Sequence, residues 1–325
     1  MPTTNRMMRG WATFLLACAV CIAGATAHGQ PAAESKYSEV FYSSGNLRIQ
    51  AYLYKPDGDG PFPVVIYNHG SRDGREQVSV PFPHIGKMLT GAGYAVLVPE
   101  RRGYGKSDGP TWRAEVGGDQ SRLAPRLQAE AGDVLAAVDY LRTVPFADTK
   151  RVGIMGWSFG GVVTMLAASR STAFVAAVDQ AGGALTWDGN AYMRSALVGA
   201  AEKSTTPTFF MVAKNDRTTS SITTLADIFK NRGVPHRVMI YEPFTPSQGT
   251  RVAAPGHALF SAQGTSIWES DVVEFLNRYL GGRNPDKRDG AAAEKALQPE
   301  GPAARRRGAD RSLAIHGAIL SPGSG

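Results

Sequence analysis

The amino-acid sequence predicts an α/β fold in which a mostly parallel, twisted sheet opens with an antiparallel hairpin and carries helices on both faces. Three observations predict it. Residues 38–42 and 47–54 alternate apolar and polar side chains around Ser43-Ser44-Gly45-Asn46, the pattern of a half-buried hairpin. From residue 64 onward the pattern changes to short runs that are apolar at successive positions, separated by helical segments, as in parallel strands covered on both faces. The 325 residues, 43% hydrophobic and 19% charged, hold enough apolar material to fill such a core.

The elements follow in order. Residues 64–67 form the first doubly buried strand, and residues 94–99, entered through Gly91-Ala92-Gly93, form the next. Leu127, Ala131, Val134, Leu135, Val138 and Leu141 recur at helical spacing and predict a helix over 125–143. Strands are expected at 151–155, 174–178 and 208–212, then a helix around 218–231 and a last strand at 237–241. Ile267, Val272, Val273, Phe275, Leu276 and Leu280 mark a closing helix, so the folded body ends near Gly281-Gly282. Between the strands ending at 178 and starting at 208 lies a segment with Trp187, Tyr192 and Met193. It has room for a helix or two and none for a cap domain. A polar insertion at 110–126 is the other expected border of the site, so the lid is minimal. No internal repeat is present.

The two ends read differently from the body. Arg6 and Arg9, an apolar run over 11–22 and Ala25-Thr26-Ala27 have the layout of a cleaved export signal, placing residues 1–27 in a leader. Its apolar run, about a dozen residues, is short of the roughly 20 that span a bilayer, so no stable membrane span is expected after cleavage. Leu16-Ala17-Cys18 partly resembles a lipidation site, which leaves open whether the leader is cleaved or lipidated. Cys18 and Cys21 are the only cysteines, so the exported chain would have none. That excludes a cysteine nucleophile and thiolate metal sites. Residues 283–325, rich in Ala, Gly, Pro and Arg, lack apolar periodicity and read as a disordered tail. The domain body is therefore 28–282, and a periplasmic or secreted location is expected. The formal charge of +7 is concentrated at the ends, with the body carrying 25 basic against 23 acidic residues. Without a basic cluster, a nucleic-acid partner is excluded.

Chemistry concentrates at Gly156-Trp157-Ser158-Phe159-Gly160. A serine becomes a nucleophile only beside a base that is itself oriented by an acid. The G-x-S-x-G pentapeptide meets the geometric need when a strand ends at the serine and a helix starts after it. The strand at 151–155 and the apolar run at 161–168 supply both contexts. A second match, Gly105-Lys106-Ser107-Asp108-Gly109, lacks them and reads as loop. Of six histidines, His257 alone falls in the loop between the last strand and the closing helix, over the carboxyl edge of the sheet; His28, His84, His236 and His316 do not. His69 reads as a structural residue that ties its loop down. Asp216, where the strand at 208–212 runs out, is the expected orienting acid, with Glu242 in reserve. The oxyanion needs two backbone N–H donors. The Phe159 amide and the Ser71 amide, in Asn68-His69-Gly70-Ser71, are the candidates. Trp157, Phe159, Trp187 and Tyr192 are candidate lining residues. This constellation requires no metal or cofactor.

Taken together, the order Ser158, Asp216, His257, the Asn68-His69-Gly70 loop, the stretch Pro99-Glu100-Arg101-Arg102-Gly103-Tyr104-Gly105 and the elbow resemble the α/β-hydrolase superfamily over roughly 38–282, in its dienelactone-hydrolase-like and prolyl-oligopeptidase-like branches. The resemblance implies an α/β-hydrolase fold and a serine hydrolase using a Ser-His-Asp triad. Dienelactone hydrolases proper carry a cysteine where this chain has Ser158, which sets dienelactones aside as the expected substrate. The absence of a large N-terminal domain from this sequence argues against an oligopeptidase. The leading expectation is hydrolysis of small or medium carboxylic esters, the partner being the ester itself. A peptidase or amidase with the same triad is the alternative enzyme, and a non-catalytic binding protein on a hydrolase scaffold the alternative class. The sequence leaves the oligomeric state open.

Overall fold

The hairpin is formed by β1 (Tyr37–Ser44) and β2 (Leu47–Tyr54), paired antiparallel from Tyr37 opposite Tyr54 to Ser44 opposite Leu47. It turns through Gly45, whose φ of 58° is left-handed. The computed structural model describes residues 36–72, 74–247 and 254–282. The expected leader, residues 1–27, and the expected tail, residues 283–325, lie outside the described residues. After the hairpin come β3 (Phe62–Asn68), α1 (Pro83–Gly91), β4 (Ala95–Pro99), α2 (Trp112–Glu115) and α3 (Leu123–Leu141). The rest of the chain forms β5 (Ala147–Trp157), α4 (Phe159–Ala168), β6 (Phe174–Gln180), α5 (Ala191–Lys203), β7 (Thr208–Ala213), α6 (Ser220–Asn231), β8 (His236–Tyr241) and α7 (Thr265–Leu280).

The eight strands lie in the spatial order β1-β2-β4-β3-β5-β6-β7-β8. β2 meets β4 antiparallel, and every pairing from β4 to β8 is parallel. Helices α3, α4, α5 and α6 pack in succession, while α1 packs against α7. The core between the layers follows the sequence pattern: Val64, Val65, Ile66 and Tyr67 are all buried, as are Ala95, Val96 and Leu97. No helix among the described residues is long and apolar enough to cross a membrane.

The order of strands decides where a site can form. From β3 the chain steps to one side to make β4 and then to the other to make β5. At such a reversal the loops leaving the two strands diverge to opposite faces, and a crevice opens at the carboxyl ends. The loop after β3 holds residues 68–71, and Ser158 follows β5 directly.

Most element boundaries lie within two residues of the sequence expectation, and two regions add structure beyond it. β5 begins at Ala147, four residues early, because Phe62 pairs with Ala147 and the Phe62 amide donates to the Phe146 carbonyl at 2.7 Å. This extension is polar and only half-buried, so no apolar run announced it. The insertion at 110–126 is structured, with α2, a 3-10 turn at Gln120–Arg122 and the start of α3.

Candidate active site

Ser158 occupies the single residue between β5 and α4, with φ 59° and ψ −121°. A residue with a β-carbon avoids this region unless its surroundings impose it, and such strain concentrates at functional sites. The surroundings here are specific. The Ser158 amide donates to the Gln180 carbonyl at 2.8 Å, and its own carbonyl accepts the Gly161 amide at 3.0 Å. The first turn of α4 lies so close to the end of β3 that any side chain at Gly160 would collide with the Asn68 carbonyl. Asn68 Nδ2 donates to Thr164 Oγ1 at 2.9 Å and fixes that approach.

His257 lies in a 3-10 turn, Pro255–Phe260, between β8 and α7. Its Nε2 is 2.8 Å from Ser158 Oγ, and its Nδ1 is 2.8 Å from Asp216 Oδ2. Asp216 Oδ1 accepts the Arg217 amide at 2.7 Å, which fixes the carboxylate rotamer. His257 and Asp216 are 6% and 8% exposed, so water competes little for these bonds. The turn itself is held from three sides. The Gly256 amide donates to the Asn215 carbonyl, Trp157 Nε1 donates to the His257 carbonyl at 3.0 Å, and Trp268 Nε1 donates to the Leu259 carbonyl at 3.0 Å. Trp268 is fully buried. Burying a tryptophan removes roughly 200 Å² from water, about 3–5 kcal/mol of transfer free energy, and that stabilises α7 against the turn.

The segments that carry the two proposed oxyanion donors both adjoin Ser158. Phe159 is the first residue of α4, so its N–H has no intrahelical acceptor and points out of the positive end of the helix. A β-carbon added at Gly70 would sit 3.2 Å from Ser158 Cβ, so the backbone leading into Ser71 passes directly beside the serine. His69 is fully buried, and burial pushes its pKa below the ordinary value. As a neutral ring it donates from Nδ1 to the Gly70 carbonyl at 2.7 Å and accepts the Arg101 amide at Nε2, 3.2 Å away. It therefore ties the β3 and β4 loops together.

Other sequence candidates lie apart from this cluster. Ser107 Oγ donates to the Glu100 carbonyl at 2.8 Å and accepts the Gln50 amide at 3.0 Å, which pins a loop to the hairpin. Glu242 is exposed and pairs with Lys214. His236 is half-buried in β8, bonded to the Val234 carbonyl. Of the expected lining residues, Trp187 is buried in the apolar core and Tyr192 is exposed on α5. Trp157 spends its indole N–H on His257. Its ring stays beside that of His257, 5.7 Å between centroids, and Trp112 of α2 also comes to the site, its ring meeting Phe159 edge-on at 4.7 Å. With Glu76, Arg113, Gly74, Gly117 and Gly118 it lines an open pocket of about 410 Å³.

The sequence does not single out Asp179, at the end of β6. It is fully buried, and Oδ1 accepts the Gly182 amide at 2.8 Å, while Oδ2 has no partner among the described residues. Burial raises its pKa from 3.8 to about 7. Between those values the unfolded chain has released this proton and the folded chain has not, so stability falls as pH rises. At 1.36 kcal/mol per unit the loss is about 4 kcal/mol at most. In Asp179→Asn the fall of the urea midpoint between pH 4 and 7 is expected to flatten relative to wild type. An unchanged slope would mean that the folded protein ionises this carboxyl.

Comparison with known proteins extends the geometry. Residues 49–258, more than half of the chain, match the dienelactone hydrolase family. Over 142 residues the chain is 28% identical to the quorum-quenching protein AidA of Acinetobacter baumannii, a match covering 44% of this chain and 42% of that protein. The chain thus spans less than half the length of that relative. Among solved structures, an acylaminoacyl peptidase of Pyrococcus horikoshii superposes with a TM-score of 0.57 at 19% identity, over 81% of this chain and 44% of that one. The esterase Pf2001 of Pyrococcus furiosus superposes with a TM-score of 0.54 at 18% identity, over 76% and 92%. At such identities the likeness shows the fold, which is that of the α/β hydrolases.

Proposed function

Because the chain belongs to the dienelactone hydrolase family, and because Ser158, His257 and Asp216 form one continuous hydrogen-bonded relay, we propose that it is a serine hydrolase cleaving small or medium carboxylic esters. The relay of two 2.8 Å bonds is the observation that supports this reading. Ser158 Oγ attacks the ester carbonyl carbon as His257 Nε2 takes its proton. Asp216 keeps the imidazole in the tautomer with Nδ1–H and stabilises the cation that forms. The amides of Phe159 and Ser71 bind the oxyanion as charge develops there. Collapse of the tetrahedral intermediate expels the alcohol, which leaves with the proton from His257. Water then repeats the sequence on the acyl-enzyme. The pocket beside Trp112 is the adjacent space for the non-reacting part of the substrate. Export to the periplasm or beyond belongs to the same proposal, supported by the basic, apolar and A-x-A order of residues 6–27.

The test is a panel of p-nitrophenyl esters of increasing chain length, run beside a matched anilide, with fluorophosphonate labelling mapped by peptide mass. The expected result is turnover of short and medium esters above the anilide and label on the Ser158 peptide. Faster turnover of the anilide would assign a peptidase or amidase instead. Label elsewhere, or none with no ester turnover, would overturn the proposal.

A further inference from the structure

The geometry points to Arg101 as a positioning residue that holds both oxyanion donors in place, an inference that rests on the oxyanion hole proposed above. Arg101 follows β4 and is 5% exposed. Its guanidinium lies over the Phe159 ring at 4.3 Å and over the Tyr104 ring at 4.4 Å. Its Nη2 is directed to the Gly70 carbonyl at 3.5 Å, and its backbone amide donates to His69 Nε2. One planar cation thus touches the residue that carries the first donor and the carbonyl of the Gly70–Ser71 peptide, whose N–H is the second. The other link between these elements, Asn68 Nδ2 to Thr164 Oγ1, lies deeper, at the second turn of α4, and touches neither Gly70 nor Phe159.

What fixes Arg101 is a buried chain of charge. Arg101 Nη1 pairs with Glu130 at 2.9 Å, and Glu130 pairs with Arg126 Nε at 2.7 Å. Glu130 and Arg126 are both essentially unexposed, on α3. Arg126 donates in turn to the carbonyls of Pro110 and Arg102 at 2.9 and 2.8 Å, and pairs with Glu115 of α2. The chain runs from the polar insertion through α3 to the hole. Buried ion pairs are poor stabilisers compared with apolar packing of the same volume. Here the arrangement also leaves Arg101 Nε without a partner among the described residues, a cost that packing alone would not select. A methionine would fill the gap between the two rings as well. What it lacks is the charge that attracts the Phe159 ring face and the donor that reaches Gly70.

A misplaced donor weakens binding of the transition state more than of the ester. In Arg101→Met and Arg101→Lys, kcat is expected to fall about 10- to 100-fold while KM stays within about threefold. Affinity for a trifluoromethyl ketone, which forms the oxyanion without turning over, is expected to fall by the same factor as kcat/KM. Arg102→Ala is the control. Arg102 pairs with Asp133 of the same helix, so its loss also loosens α3, and the described contacts of its side chain reach Asp133 and the Ala129 carbonyl, not the hole. Glu130→Gln keeps the shape of the chain and removes its charge, and it serves where Arg101→Met does not fold. Losses no larger than in Arg102→Ala, or confined to KM, would overturn the proposal. Ser158→Ala, run in parallel, separates two failures. If it turns over ester at the wild-type rate, the hole itself is misassigned. If it is inactive while the Arg101 variants are fully active, only the role of Arg101 falls.

Discussion

Ser158→Ala is expected to lower ester turnover by about 10⁶-fold, leaving only what substrate binding and the oxyanion donors supply. That factor corresponds to about 8 kcal/mol of transition-state stabilisation. The loss is chemical and not structural, for two reasons. The hydroxyl makes its hydrogen bond to His257 and carries no part of the backbone network that holds the elbow. The strained φ of 59° is imposed by the bonds to Gln180 and Gly161, and an alanine bears it as a serine does. Thermal midpoints of the two proteins should therefore agree within a few degrees while fluorophosphonate labelling disappears. Turnover within tenfold of wild type would assign the nucleophile elsewhere.

What the sequence discloses about this site follows from how local each feature is. Ser158 is legible because the elbow is built from contiguous residues, the apolar strand before it and the small, apolar helix after it. The match around Ser107 shows the complement: the same pentapeptide without those flanks forms a pinned loop. His257 and Asp216 are legible by position, since each follows a strand whose apolar run ends cleanly. The supports of these residues are not legible. Trp157 reads as a pocket aromatic, yet its indole N–H finds the His257 carbonyl 100 positions along the chain. The pairs of Arg101 with Glu130 and Arg102 with Asp133 connect a loop to a helix with no shared period. The helix over 125–143 is read from its apolar stripe alone, yet its charged residues Arg126, Glu130 and Asp133 are buried as well. Hydrophobic periodicity locates helices and their apolar stripes, but it does not show when a charged face is covered by another charged loop. The same limit hid the first four residues of β5, which are held by pairing with Phe62 and Pro63 and not by apolar content.

The role of Asp216 admits a sharper test than deletion, because the structure dictates what an asparagine would do there. The Arg217 amide donates to Oδ1 at 2.7 Å, so that position must remain an acceptor. In Asp216→Asn the carbonyl oxygen therefore stays with Arg217, and the amide nitrogen turns to His257 Nδ1, now as a donor. Nδ1 must then be the unprotonated nitrogen, which puts the ring proton on Nε2, facing Ser158 Oγ. A ring in that tautomer has no lone pair to accept the serine proton, although every heavy atom is where it was. The expected consequence is a fall of about 10⁴ in kcat, or some 5.4 kcal/mol, with KM nearly unchanged. Fluorophosphonate labelling should slow as well, since it needs the same base, whereas the thermal midpoint should stay within a few degrees. Glu242 offers no rescue, being exposed and paired with Lys214. A loss below tenfold would mean that His257 is oriented by some other group, and would remove Asp216 from the relay.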